Sequence, residues 1–237
     1  MRKTHGHETR KVTKANHEVT PELRRLSNSM KLDVKICGLT NRDDVRQALD
    51  DGADYVGFVL YDDSPRGIKA SAMLKILDGV LRPCRAVGVF VNEPRAVVEQ
   101  VASDAGLFAV QVHGDEAPED FVGLSVPVWR AVRLTADGAG PAVAAWAAER
   151  FVVDAAVPGR YGGTGRTADW SAAASFAREC TTMLAGGLTP GNVAEAIRAV
   201  RPHGVDTASG VEERPGKKDA RAVREFIRAV RAVEMDL

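Results

Sequence analysis

Val34-Lys35-Ile36-Cys37-Gly38 reads as a short strand that ends on a reactive side chain. Period-two alternation puts Val34 and Ile36 on one face and Lys35 and Cys37 on the other. Apolar β-branched residues suit a face covered by helices. Lys35 and Cys37 are therefore expected to face inward, with Cys37 nearer the strand's C-terminal end. A second run, Phe151-Val152-Val153-Asp154, ends in the same way on a carboxyl. Each run is followed by a loop and then a helical pattern. In a barrel of parallel strands, reactive groups sit where strands end and the next loops begin. A thiol and a carboxyl at two such ends make a candidate base and acid over one pocket.

The alternation of strand and helix continues along the chain. Strands are expected at 32–37, 55–60, 86–91, 107–112, 127–132, 150–154, 182–185 and 203–206. Helices are expected near 41–51, 70–81, 94–104, 117–123, 139–148, 169–179, 190–200 and 219–233. Asn41 before Arg42-Asp43-Asp44, and Thr189 before Pro190, are helix-start signals. The strands are short and apolar, as in parallel sheets buried on both faces. Eight units of roughly 25 residues predict a single α/β domain, a (β/α)8 TIM barrel over residues 31–237. An open doubly wound sheet is the alternative fold.

Residues 1–30 differ from the rest. They carry seven Lys or Arg against three Glu, show no apolar period, and read as a disordered basic extension. Glu8, Glu18 and Glu22 speak against a transit peptide. Met30, directly before Lys31, is a second candidate start for the protein. His5 and His7 form an isolated pair from which no metal site is expected.

The 237 residues carry a formal net charge of +0, which argues against general attraction to nucleic acid or membrane. Cys37, Cys84 and Cys180 are an odd, widely spaced set that makes neither a disulfide framework nor a zinc site. A reducing cytoplasm fits them. No apolar run is long enough to span a bilayer, and the N-terminus lacks the apolar core of a signal peptide.

Cys37 taken alone is a small core residue. It acts as a base only as thiolate, which needs a cationic neighbour or a depressed pKa. Asp154 closing an apolar strand is costly unless it is paired or faces a cleft, where it can hold a proton and act as general acid. Two segments look built for phosphate. Leu184-Ala185-Gly186-Gly187-Leu188-Thr189-Pro190 follows the seventh strand. Asp206-Thr207-Ala208-Ser209-Gly210-Val211-Glu212 follows the eighth and is expected to open a short helix. The loops after strands seven and eight commonly form a barrel's phosphate site, and glycines let backbone N–H groups approach the anion. Arg66, in Ser64-Pro65-Arg66-Gly67, could hold a second anion. Gln111 and His113 share a strand face and could orient substrate or a loop. Gly162-Gly163-Thr164-Gly165 reads as a functional loop and a candidate lid.

Lys35-Ile36-Cys37-Gly38-Leu39-Thr40 resembles the opening motif of the phosphoribosylanthranilate isomerase family of tryptophan biosynthesis. So do Gly88-Val89-Phe90-Val91-Asn92, Val110-Gln111-Val112-His113-Gly114 and Tyr161-Gly162-Gly163-Thr164-Gly165-Arg166-Thr167. Gly186-Gly187-Leu188 with Asn192-Val193, and Ser209-Gly210-Val211-Glu212 with Pro215-Gly216-Lys217-Lys218-Asp219, complete the series in order. The resemblance implies an Amadori rearrangement of N-(5-phosphoribosyl)anthranilate, with no metal or organic cofactor. It places the general base on Cys37 and the general acid on Asp154. It puts the anthranilate carboxylate on Arg66 and the phosphate on backbone groups of Gly186, Gly187, Ser209 and Gly210. Gln111, His113 and Asp206 are the further expected substrate-binding residues. The expected partner is a small phosphorylated molecule, not nucleic acid or membrane, and the expected assembly a monomer or homodimer in the cytoplasm.

Two positions depart from the family pattern. Ala208 stands where a first serine is usual, which implies a lost phosphate hydrogen bond. Gly67 stands where an aromatic is common, which implies a looser loop. A histidine-pathway isomerase would call for aspartate in place of Cys37. Indole-glycerol-phosphate synthase would call for a lysine acid that the motifs lack. A catalytically silent or altered-substrate phosphate-binding barrel is the remaining alternative, and an intact Cys37–Asp154 pair weighs against it.

Overall fold

The computed structural model describes residues 31–80, 83–135, 138–140, 143–154 and 170–235, with the backbone alone at 135, 138, 139 and 154. The N-terminal extension and the Gly162–Gly165 segment lie outside the described residues.

Eight parallel strands close on themselves. They are β1 (Asp33–Ile36), β2 (Tyr55–Val59), β3 (Ala86–Phe90), β4 (Ala109–Val112), β5 (Val128–Thr135), β7 (Arg150–Asp154), β8 (Thr182–Leu184) and β9 (Gly204–Thr207). Each pairs with its neighbour in that order, and β9 pairs back with β1 to shut the ring. A short strand β6 (Gly138–Gly140) folds antiparallel onto the end of β5. Helices α1 (Arg42–Asp51), α2 (Ala70–Asp78), α3 (Arg95–Ala105), α4 (Trp170–Ala177), α5 (Val193–Val200) and α6 (Ala220–Glu234) follow strands β1, β2, β3, β7, β8 and β9. None of the helices among the described residues is long and apolar enough to cross a membrane.

Side-chain alternation builds two cores, as period two requires. Inside the barrel lie Tyr55, Val87, Ala109, Trp129, Val152 and Met183. Val34, Ile36, Val56, Phe58, Val110 and Val112 point outward into the layer under the helices. The final helix shows why that layer is apolar: Val223, Phe226, Ile227, Val230 and Val233 recur at helical spacing and are all buried. Asn41 starts α1 by accepting a hydrogen bond from Asp44 N–H at 2.9 Å, and Gly52, with φ at 102°, ends it. At the strands' N-terminal ends, Arg150 lies 4.7 Å over the Trp129 ring and pairs with Asp33 at 2.8 Å. Those side chains pack across that end, and in such barrels the ligand site lies at the opposite, C-terminal mouth.

The first and last units are joined tightly. Leu32 N–H donates to Glu234 Oε1 at 2.6 Å, while Arg231 donates to Leu32 O at 2.7 Å and to Asp54 Oδ2 at 2.7 Å.

Several expected helices take other forms. Near 117–123 there is only a 3₁₀ turn, Pro118–Phe121. Near 139–148 the chain instead forms the β5–β6 hairpin and a 3₁₀ turn, Val143–Ala145. Gly138, Gly140 and Pro141 are poor helix residues, and the apolar stretch beyond them is too short to nucleate a helix. Trp146 then covers this side of the sheet, 4.5 Å from the Arg130 guanidinium. Helix α5 starts at Val193, three residues after Pro190. Asn192 holds the preceding turn by accepting from Thr189 N–H at 2.8 Å and donating to Gly187 O at 3.0 Å. Beyond β9 the expected short helix is a single 3₁₀ turn, Ser209–Val211, followed by a hairpin of β10 (Glu212–Arg214) and β11 (Lys217–Lys218).

Candidate active site

Lys35 enters the barrel as alternation predicts and is fully buried. Its ammonium donates to Asp206 Oδ2 at 2.9 Å on β9 and to Gln111 Oε1 at 3.0 Å on β4. The second Asp206 oxygen, Oδ1, is buried and has no hydrogen-bond partner among the described residues. An ammonium can only donate, so Gln111 must present its oxygen to Lys35 and its NH₂ to His113. Gln111 Nε2 lies 3.1 Å from His113 Nδ1, which makes that nitrogen the acceptor and puts the ring proton on Nε2. Burial, then the cations Lys35, Arg130 and Arg133, push the His113 pKa down to about 3. His113 is therefore a neutral imidazole at physiological pH.

Cys37 sits just past β1, buried beside Lys35. Burial is the main influence on its thiol and raises its pKa; Asp206 adds to this, while Lys35 and Lys218 pull the other way without overcoming it. The same Lys35 is held protonated: burial opposes its charge, but Asp206 and Cys37 outweigh that cost. Thus Cys37 has the cationic neighbour that a thiolate needs, shared with a competing carboxylate.

Arg66 lies across this strand end. A β-carbon on Gly38, the residue after Cys37, would stand 2.5 Å from Arg66 Cδ. Gly38 has φ at 71°, so both its conformation and its neighbour call for glycine. The Arg66 guanidinium, expected to await an anion, already grips Glu212: Nη2 donates to Oε2 at 2.7 Å and Nε to Oε1 at 2.9 Å. Its loop is tight, contrary to the expectation drawn from Gly67. Gly67 N–H donates to Ser64 O at 2.8 Å, and a β-carbon there would meet Tyr61 O at 2.2 Å.

The loops after β8 and β9 meet at the next position around the mouth. Thr207 Oγ1 donates to Leu188 O at 2.8 Å, and a β-carbon on Gly210 would lie 1.9 Å from that same oxygen. Gly186 and Gly187 adopt left-handed backbone, φ 83° and 67°. The N–H groups of Gly186, Gly187, Ser209 and Gly210 have no protein acceptor among the described residues. Lys218 braces the second loop by donating to Ala208 O at 2.9 Å.

Asp154 is the last residue of β7, in register with Arg133 on β5. Its backbone stands at the same end of the barrel as Cys37; its side chain lies outside the described residues. Among the described residues no group of three His, Cys, Asp or Glu is gathered to hold a metal ion.

Three features escaped the sequence reading. Arg130, fully buried, donates to Val112 O at 3.0 Å and Gly114 O at 2.6 Å, bracketing His113, and pairs with Glu116 at 3.1 Å. Asn92, at φ 56°, receives Asp115 N–H on Oδ1 at 2.7 Å and so ties the β3 loop to the β4 loop. Glu212 gathers Arg66, Lys218 and Gly216. The motifs holding Asn92 and Glu212 gave a signal but named no partner for either, and Arg130 stood in no motif.

A closed barrel with a thiol, a neutral imidazole, an arginine and open backbone N–H groups around one mouth defines a (β/α)8-barrel enzyme. A family model for N-(5'-phosphoribosyl)anthranilate (PRA) isomerase matches residues 34–229. The N-(5'-phosphoribosyl)anthranilate isomerase of Pelobacter propionicus is 44% identical over 195 residues, 82% of this chain and 93% of that one. The phosphoribosyl anthranilate isomerase of Thermotoga maritima superposes with a TM-score of 0.75 at 36% identity, over 85% of this chain and 100% of that one. A structure of such an isomerase in complex with reduced 1-(o-carboxyphenylamino)-1-deoxyribulose 5-phosphate superposes with a TM-score of 0.72 at 33% identity, over 85% and 100%. The chain belongs to the N-(5'-phosphoribosyl)anthranilate isomerase family.

Proposed function

We propose that this barrel converts N-(5-phosphoribosyl)anthranilate to 1-(2-carboxyphenylamino)-1-deoxyribulose 5-phosphate, a step of tryptophan biosynthesis, with Cys37 as base and Asp154 as acid. The Asp154 carboxyl gives its proton to the ribose ring oxygen, the C1′–O bond breaks, and a Schiff base forms. The Cys37 thiolate then takes the C2′ proton, leaving an enolamine that tautomerises to the ketone. Each group contributes on the order of 10²–10⁴ in rate.

The observation that carries this reading is adjacency. Strands β2, β1, β9 and β8 are consecutive around the ring, and they bring Arg66, Cys37, the Ser209–Gly210 loop and the Gly186–Gly187 loop side by side. A molecule with a phosphate at one end and a carboxylate at the other would lie over Cys37 between them. Backbone N–H groups of both loops hold the phosphate, and Arg66 the carboxylate. Asp206 Oδ1 accepts a sugar hydroxyl, and Gln111 with neutral His113 fixes the far wall.

We assign residues 31–237 to the catalytic barrel and 1–30 to an extension outside it. The assembly is a monomer or a homodimer; one solved relative is described as monomers generated from a dimeric enzyme of Thermotoga maritima. We place the protein in the cytoplasm, where the Cys37 thiol stays reduced.

The test is turnover of phosphoribosylanthranilate, formed in situ and followed by loss of its fluorescence. Cys37→Ala and Asp154→Ala should each lose most activity while circular dichroism stays native. Full activity in either overturns the assignment of that residue.

A further inference from the structure

Glu212 begins β10, directly after the 3₁₀ turn of the β9 loop. Its Oε1 accepts from Arg66 Nε at 2.9 Å, Lys218 Nζ at 2.8 Å and Gly216 N–H at 3.2 Å. Its Oε2 accepts from Arg66 Nη2 at 2.7 Å and Nε at 3.1 Å. These bonds nearly saturate a carboxylate's acceptor sites. Gly216 reaches it because the hairpin turns there through φ 80°. Both ion-pair partners are buried, with side-chain exposures of 9% for Arg66 and 4% for Glu212, so solvent screens the pair little.

The pairing uses only one edge of the guanidinium. Glu212 takes Nε and Nη2, so Nη1 and the outer hydrogen of Nη2 remain, with no protein acceptor among the described residues. That end edge is itself a two-donor fork of the kind that binds a planar carboxylate. The trio Arg66, Lys218 and Glu212 joins two cations to one anion and so keeps a positive charge for one further carboxylate. Lys218 also donates to Ala208 O, which couples the trio to the loop carrying Ser209 and Gly210.

We propose that Glu212 is a positioning residue that sets substrate specificity, fixing Arg66 so that its Nη1/Nη2 edge meets the carboxylate ortho to the substrate's amine. This rests on the role given to Arg66 above. A guanidinium already held by one bidentate partner loses little freedom on taking a second. It also stands at a set distance from the phosphate loop, so the site measures carboxylate and phosphate together. A substrate lacking the carboxylate would leave this fork unpaired, and unpaired polar groups are what give a site strong discrimination.

The experiment compares kcat/KM for the ribose 5-phosphate adducts of anthranilate and of aniline, which lacks the carboxylate. Wild type, Glu212→Gln, Glu212→Asp and Arg66→Ala are measured together, and the preference ratio is read, not the absolute rate. Glu212→Gln turns an NH₂ toward Arg66 or Lys218 and should cut the preference by on the order of tenfold, mainly through KM. Glu212→Asp, which keeps the charge and shortens its reach, should cut it less, and it serves alone if Glu212→Gln fails to fold. Unchanged preference in the Glu212 variants, or equal loss on both adducts, overturns the proposal. Unchanged preference in Arg66→Ala instead overturns the role of Arg66 on which it rests.

Discussion

Gly57 makes the room that the Cys37 sulfur occupies: a β-carbon on Gly57 would stand 2.7 Å from Cys37 Sγ and 3.0 Å from Lys35 Cε. The thiol and its cationic neighbour therefore converge on the missing side chain of the adjacent strand. Gly57→Ala should push the sulfur aside while leaving β2 paired. A displacement near 1 Å at a reacting group costs on the order of 10² in rate. We expect kcat to fall by about that factor with native circular dichroism. Wild-type kcat in Gly57→Ala would show that the reaction does not depend on where this sulfur sits.

The pH dependence has a definite sign. Burial, with Asp206, raises the Cys37 thiol pKa, and the proposed reaction uses its thiolate as the base. Activity should therefore still be climbing with pH in the ordinary thiol range, near ~8.5. Lys35→Met removes a cation and should move this limb further alkaline; Asp206→Asn removes an anion and should move it back. The rate of Cys37 alkylation against pH, in a Cys84→Ser/Cys180→Ser background, reports the thiolate directly. A titration below the ordinary range would contradict the balance of charges described.

Acid stability turns on two buried carboxylates. Burial alone would raise Asp44, but hydrogen bonds from Lys217, Lys218 N–H and Asn41 outweigh it and hold it low. Burial likewise opposes Glu212, and Arg66 and Lys218 outweigh it. Folded pKa values below the unfolded ones mean stability that is complete above ~4.3 and drains away as pH falls through the folded values. Urea midpoints should drop steeply below about pH 4, and less steeply in Asp44→Asn. Parallel curves for the two proteins would remove Asp44 from this account.

Arg130→Met should destabilise through charge as well as packing. It strands Glu116, whose side chain is 5% exposed, and frees the carbonyls on either side of His113. Breaking a buried pair from one side costs about 3–5 kcal/mol, or on the order of 10 °C in Tm for a chain of this size. Adding Glu116→Gln should recover part of the loss, since no charge is then left unpaired. A double variant less stable than Arg130→Met would exclude that cause.

The strands were legible because period two acts locally: Val34 and Ile36 face the helices and Lys35 the interior, as alternation requires. Asn41 was legible for the same reason, since a cap and the N–H it receives lie three residues apart. The helix expected near 139–148 failed because Gly138, Gly140 and Pro141 oppose it, and the chain turns back there as a hairpin. Arg66 was expected to be open to an anion, yet its partner Glu212 lies 146 residues away, beyond the reach of any spacing rule. Lys35 was seen to point inward, but Asp206, 171 residues on, is what holds it charged. Local pattern found the strands and most of the helices; pairings between distant elements needed coordinates.

The seam between the first and last units has a consequence for biogenesis. β1 finds its second neighbour only in β9, and Leu32 N–H finds its acceptor only at Glu234, 202 residues later. A ribosome releases the first strand long before either exists. Until then β1 offers an unpaired edge, and Lys35 lacks Asp206. Such non-local closure slows folding and leaves the nascent chain open to wrong partners. The ring and its reactive mouth are thus completed together, when the final strand and helix emerge from the exit tunnel.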